Sequence, residues 1–242
     1  MAVFNARSAT MWVGGVAVHD LATKVRFDVS LNTSPSQTFG HDAETVTGGL
    51  FVVKAQASGY IDFAGPFGGL NEPYVDRAQV PVTLGPTSTE GDTAMLTVGL
   101  IAAWKPLGFT VGETAAMDVE VSGTTKVPPV GGTLVAAEAA RAATGNGVPY
   151  QLGAVGAAQA VYSNVHVLAA GGVNPTLDVT VASDSAEAFS TPTVQLTHPQ
   201  FAAPGANQQS LPGANTDTWW RAQWTIAGTG PTFTFAVAVG IA

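Results

Sequence analysis

The sequence contains no cysteine. That absence removes disulfides, thiolate metal sites, iron–sulfur clusters and thiol nucleophiles, and it leaves the redox compartment open. Charge is also scarce: Asp, Glu, Lys and Arg make up 11% of the 242 residues, against roughly 25% in an average soluble domain. Nine residues are Lys or Arg and 17 are Asp or Glu, so the formal net charge is −8. A protein that grips nucleic acid through its phosphates needs a basic face, and nine cations scattered along the chain are not expected to make one. The four histidines, His19, His41, His166 and His198, form no His-x-His or His-Glu-x-x-His spacing, so a zinc or non-haem iron site has no support. The longest apolar runs, residues 100–104 and 235–242, are too short to cross a bilayer. Residues 1–24 hold no basic segment followed by an apolar one. No secretory signal is expected, and assembly in a cytoplasm is.

Apolar residues, in contrast, reach 46%, which excludes disorder and allows a sizeable core. Few charges without a membrane span point to a surface partly covered by other subunits. The dominant period along the chain is two. In residues 24–31, KVRFDVSL, the residues Val25, Phe27, Val29 and Leu31 share one face, and Lys24, Arg26, Asp28 and Ser30 share the other. That is the pattern of a half-buried strand. Residues 117–121, 177–181 and 232–239 repeat it, and 50–53, 80–84, 96–100, 165–168 and 219–226 also read as strands. Gly, Pro, Asn and Asp clusters separate the runs. Helical signal is confined to Ala-rich residues 134–143, LVAAEAARAA, with Gly145 as a cap, and to at most one turn at 42–46. The expected class is all-β, a sandwich or barrel with at most one or two short helices.

A break falls at Gly145-Asn146-Gly147-Val148-Pro149. Before it lie eight cations and 13 anions, after it one cation and four anions, giving nets of −5 and −3. Two β units are expected, 1–145 and 146–242. Residues 26–32 and 176–182 look alike, as any two alternating strands do.

No motif carries enzymatic chemistry. There is no Gly-x-Ser-x-Gly elbow, and none of the four lysines follows a glycine, so there is no P-loop. Asp118 and Glu120 lie two apart on a strand and share a face. A glycosidase would need a partner acid across a cleft, and a solvated sheet face is the simpler role. Asp184, Ser185 and Glu187 lack the repeated oxygen ligands of a calcium loop and read as a turn. Trp219, Trp220 and Trp224 form the most conspicuous cluster. Exposed, they could stack on sugars. Alternatively Trp220, Trp224 and Ile226 belong to the core, while Trp219 and Arg221 lie at an edge or a subunit contact. His166 faces away from Val165 and Val167 and is expected to be hydrogen-bonded within the fold.

The order of segments resembles the tail-tube (major tail) proteins of long, flexible-tailed bacteriophages. KVRFDVSLN is followed by a polar loop, residues 32–49, containing TFGHDAETVTGGL, and by a returning strand, VVKAQASGYIDF. VPVTLGPTSTEGDTAMLTVGLIAAW and VGETAAMDVEVSG fit the next strands of that family. YSNVHVLAAGG, PTLDVTVASDS and DTWWRAQWTIAGTGPTFTFAVAVG are similar to the second β unit of its larger members. The resemblance implies a non-enzymatic virion subunit, without cofactor or metal, that forms stacked rings. Six copies per ring are implied, or three if both units are tube-like. Other tail proteins are the further partners, and double-stranded DNA passes through the bore without tight binding. Asp28, Asp118 and Glu120, outward on clean strands, are the candidate lumen-facing residues of an acidic wall. Trp219 and Arg221 are the candidate subunit contacts. The 32–49 loop is expected to order against a neighbouring ring. A carbohydrate-binding or adhesion module and a capsid decoration protein are the alternatives.

Overall fold

The computed structural model describes residues 9–36, 45–60, 66–108, 114–123 and 129–242. In chain order the elements are β1 (Thr10–Val13), β2 (Val16–Ala17), a 3-10 turn (Val18–Asp20), β3 (Ala22–Ser36), β4 (Thr45–Tyr60), α1 (Pro66–Val75), β5 (Gln79–Gly85), β6 (Thr93–Gly108), β7 (Ala116–Gly123) and β8 (Val130–Arg141). There follow β9 (Gly145–Asn146), β10 (Tyr150–Gln151), β11 (Ala160–Asp184), β12 (Thr193–Thr197), β13 (Gly205–Pro212) and β14 (Trp219–Ile241). The fold is all-β, as expected, and every strand pair is antiparallel.

One hydrogen-bonded path, β12-β11-β14-β8-β6-β5-β1-β2, runs through the chain, with β4 and β7 joining β3 to β6. The long strands bend and so serve two layers each. β6 pairs with β5 and β8 in its first half and with β7 from Gly99 to Gly108, with register shifts at Ile101/Ala103 and Lys105/Gly108. Its second half closes a four-stranded sheet, β3-β4-β7-β6. The inner face of that sheet buries Ala55, Ala57, Ile101, Trp104, Met117, Val119 and Val121 against β1, β5 and α1.

β11 and β14 pair along almost their whole length, and the ribbon bends where the register shifts near Gly171 and Val173. Gly172 (φ +105°), Asn174 (φ +49°), Gly228 (φ +126°) and Gly230 (φ +58°) take the left-handed conformations of that bend. The two halves fold over one core that holds Val165 and Val167 from one side and Leu177, Val179, Trp220 and Trp224 from the other. A third cluster packs Trp12, Leu96 and Leu134 against Ala236 and Ala238 of β14.

Two expectations fail. Residues 134–143 are not a helix: 134–141 belong to β8 and are hydrogen-bonded to β14, while β6 pairs with the start of β8, from Val130 to Thr133. Leu134, Val135 and Ala136 are all buried, because β8 is covered on both faces. Helix propensity differs by only about 0.7 kcal/mol per residue, and burial with the β14 ladder outweighs it. The segment from 32 to 49 is also largely strand. Thr33, Ser34, Pro35 and Ser36 pair with Gly48, Thr47, Val46 and Thr45, as a run of Thr, Ser and Val allows. Pro35 is tolerated because, among the described strands, β3 pairs with β4 alone and is an edge strand. Residues 37–44, the tip of that segment and most of the turn expected at 42–46, lie outside the described residues.

The helix that does form, α1, has Gly68, Gly69 and Pro73 inside it, a composition with little helical preference. Packing holds it: Leu70 is fully buried in the first core, and a Cβ on Gly69 would stand 2.5 Å from Val16 Cγ2.

Candidate functional site: a charge-paired sheet face

The outer face of β3-β4-β7-β6 carries four of the five exposed cations among the described residues. Pairing registers align Lys24, Ser58, Asp118 and Lys105 in one row across the four strands. The next row is Arg26, Gln56, Glu120 and Ala103, and the one after it begins Asp28, Lys54, Ser122. The cations are therefore not scattered in space: Lys24, Arg26, Lys54 and Lys105 converge from three strands. Of the other described cations, Arg77 is exposed in the turn after α1, while Arg141 lies 4.7 Å from the Trp224 ring and 4.4 Å from Phe235, and Arg221 lies 4.2 Å from Phe189. The last two are held by π contacts within the fold.

The three candidate carboxylates share the cationic face. Arg26 Nε lies 2.6 Å from Asp28 Oδ2, and Lys54 Nζ lies 3.2 Å from Glu120 Oε1. Gln56 Nε2 donates to Glu120 Oε2 at 2.7 Å. Gln56 and Lys54 together hold the Glu120 carboxyl below the usual carboxylate range. Asp118 stands directly across from Lys105. Between these side chains lies a depression of about 180 Å³, lined by Lys24, Arg26, Lys105, Asp118 and Glu120 among others. Four cations less three carboxylates leave this face at +1, within a chain whose net is −8. The face carries paired charges of both signs rather than carboxylates alone. Lys24 and Arg26 were visible as outward positions, but Lys54 and Lys105 join them only through the pairing register.

The remaining sequence candidates are placed elsewhere. Trp220 and Trp224 are buried, and their indole N–H groups donate to Gly153 O (2.9 Å) and Ala143 O (3.1 Å). Neither is available to stack on a sugar. Ile226 packs against the same core. Trp219 and Arg221 lie on the opposite face, both partly buried. The Asp184 carboxylate accepts backbone N–H groups from Ala186 (3.1 Å) and Thr191 (2.8 Å), so it closes a loop. Among the described residues no cluster of three or more His, Asp or Glu side chains is arranged to hold a metal.

A buried polar seam lies where β11 packs on β5 and β6. Asn164 Nδ2 donates to Val82 O at 3.0 Å and to Thr83 Oγ1 at 3.1 Å, and His166 Nε2 lies 2.9 Å from Thr83 Oγ1. The Trp12 ring stacks on His166 with centroids 6.3 Å apart, and its N–H donates to Glu138 at 2.6 Å. Burial pushes the His166 pKa down to about 3, so the ring is neutral at ordinary pH. It is held within the fold, as expected.

No family model matches the sequence, and no curated protein sequence does. Among the solved structures to which the chain is similar, three align with about half of it. A chain of the virion of a native gene transfer agent particle has a TM-score of 0.44 and 7% identity, over 52% of this chain and 98% of that one. The cap that terminates the anti-feeding prophage tube gives 0.39 and 9%, over 51% and 88%. A chain of the extended sheath–tube complex of an extracellular contractile injection system gives 0.40 and 10%, over 51% and 88%.

Proposed function

We propose that this chain is a non-enzymatic structural subunit of a phage-type tail tube, forming stacked rings around a bore that passes double-stranded DNA. The observation that carries the proposal is the four-stranded sheet with two open edges. β3 pairs only with β4. Beyond Leu100, β6 pairs with β7 and with no other described strand. One face of the sheet is buried and the other is charged. Strand edges left unpaired favour association, and a head-to-tail contact repeated by rotation closes into a ring. A ring built this way turns the charged face inward and the cores outward. Charged Lys24 and Arg26 on β3 restrain indiscriminate edge pairing.

The β3–β4 hairpin supports stacking. Its apolar face leaves the core and continues as Val29, Leu31 and Phe51, which are 43%, 41% and 56% exposed. Leu31 is directly opposite Phe51, so the hairpin offers an adjoining ring a continuous apolar ridge. In this proposal residues 1–145 form the ring and residues 146–242 a second β unit fixed to it, with Trp219 and Arg221 near a subunit contact. Six copies per ring, or three if both units share the wall, follow from the resemblance, as do a location in the virion tail and contacts with other tail proteins.

Negative-stain microscopy of the purified chain tests this. Annular particles or tubes with a central channel are expected. A strictly monomeric population, at high concentration and with a tail initiator added, refutes the proposal.

A further inference from the structure

The geometry points to the outer face of β3-β4-β7-β6 as a phosphate-contacting surface for duplex DNA whose cations are masked by the face's own carboxylates. The inference rests on the tail-tube reading for how DNA reaches the face, and on the sheet alone for what the face does there.

A wall that only repelled DNA would need no lysine. Yet Lys24, Arg26, Lys54 and Lys105 all lie on this one face, although the whole chain has only nine cations. Side chains two apart on a strand stand about 6.7 Å apart, and adjacent strands about 4.8 Å apart. Lys24 and Lys105, at the two ends of one row, are therefore separated by about 14 Å. Over that length a duplex presents about eight phosphate charges. Four cations on so small an area form a phosphate-contacting patch.

What restrains the patch is visible in its ion pairs. Asp28 holds Arg26 at 2.6 Å, and Glu120 holds Lys54 at 3.2 Å. Arg26 and Asp28 are 58% and 40% exposed at the side chain, and Lys54 and Glu120 are 47% and 27% exposed. Such solvated pairs are weak and exchange readily. Phosphates arriving several at once can replace the carboxylates, and the carboxylates recapture the cations when the duplex moves on. The contact is thus short-lived and salt-sensitive. A face of separated carboxylates would not touch phosphate, and a face of unpaired cations would hold it.

The test uses a fluorescent 30-base-pair duplex and the unassembled full-length chain, with anisotropy read from 20 to 200 mM salt. The variant Asp28→Asn/Asp118→Asn/Glu120→Gln unmasks the four cations. It is expected to bind at least tenfold more tightly than the parent at low salt, with a log–log salt slope approaching −3.6 for four phosphates. A second triple variant, Asp76→Asn/Asp178→Asn/Glu187→Gln, changes net charge equally but away from the face, and is expected to leave binding within twofold of the parent. Adding Lys24→Gln, Arg26→Gln, Lys54→Gln and Lys105→Gln to the first variant should return binding to the parental level. Equal gains in the two triple variants, no gain in the first, or a gain that survives loss of the four cations would each overturn the inference. Microscopy of the same preparations separates the two proposals. Tubes without a DNA gain refute only the masked patch, and a DNA gain without rings or tubes refutes only the tube.

Discussion

Acidification from pH 7.5 to 5 should strip about 4 kcal/mol from the folding stability of the unassembled chain, and two buried histidines are the cause. His166 is 1% exposed and His198 3% exposed. His166 has only Thr83 Oγ1 on Nε2, and Nδ1 has no partner. His198 is bracketed by Asn207 Oδ1 at 3.0 Å and Ser163 Oγ at 3.1 Å. Burial lowers their pKa values to about 3 and about 4, with Asn207 opposing the change at His198. The unfolded chain, with imidazoles near 6.5, therefore binds protons that the native chain refuses. Stability is fully present above pH 6.5 and falls as pH drops toward the folded values. At pH 5 the free imidazole value stands about 1.5 pH units above the solution, which is about 2 kcal/mol for each ring. Glu120 and Asp184, both lowered from ordinary values of 4.5 and 3.8, lose stability only at lower pH and leave this window to the histidines.

Urea denaturation followed by tryptophan fluorescence at the two pH values reads the difference directly, with the slope m checked for constancy. The double variant His166→Asn/His198→Asn starts less stable, because each ring fills buried space, but its pH dependence across the window should nearly vanish. The reasoning fails if the parent loses less than about 1 kcal/mol, or if the double variant loses as much as the parent.

Two further outcomes follow from named contacts. Replacing residues 33–48 by a two-residue Asn-Gly turn should leave a folded monomer that forms no tubes, because the apolar ridge then has no support. Normal tubes in negative stain would remove the hairpin from stacking. Gly132→Val should cost more than about 2 kcal/mol in urea denaturation, because its Cβ would meet Val239 O at 2.2 Å. Gly131→Val, with no heavy atom within 4 Å, should stay within about 0.5 kcal/mol of the parent.

The strands most plainly legible in the sequence included those with one wet face. Residues 24–31 and 117–121 alternate cleanly because β3 and β7 bury one side and present charge on the other. Residues 134–143 were illegible for the opposite reason: Leu134, Val135 and Ala136 are buried at successive positions, period two disappears there, and alanine then imitates a helix. The composition of α1 hid it just as effectively. The candidate site was half legible. The outward carboxylates could be read from alternation, but their partners depend on register, which the β3–β4 hairpin and the irregularities in β6 set.

The end of β14 shows what a finer reading could have used. Phe233, Phe235, Val237 and Val239 were expected to face a core, and they do. The alternate positions, Ala236, Ala238 and Gly240, looked like an outer face, yet an outer face on a solvated strand carries Thr, Lys or Glu. Small residues there mean that something packs closely. Ala236 and Ala238 share a buried cluster with Trp12, Leu96 and Leu134, and Gly240 pairs with Gly132 of β8. That second covered face, with the Asn164–His166–Thr83 seam beside it, packs β11 and β14 on β5, β6 and β8. Trp12 is buried in that cluster, and Asn164 and His166 find their hydrogen-bond partner Thr83 across the same contact between β11 and β5.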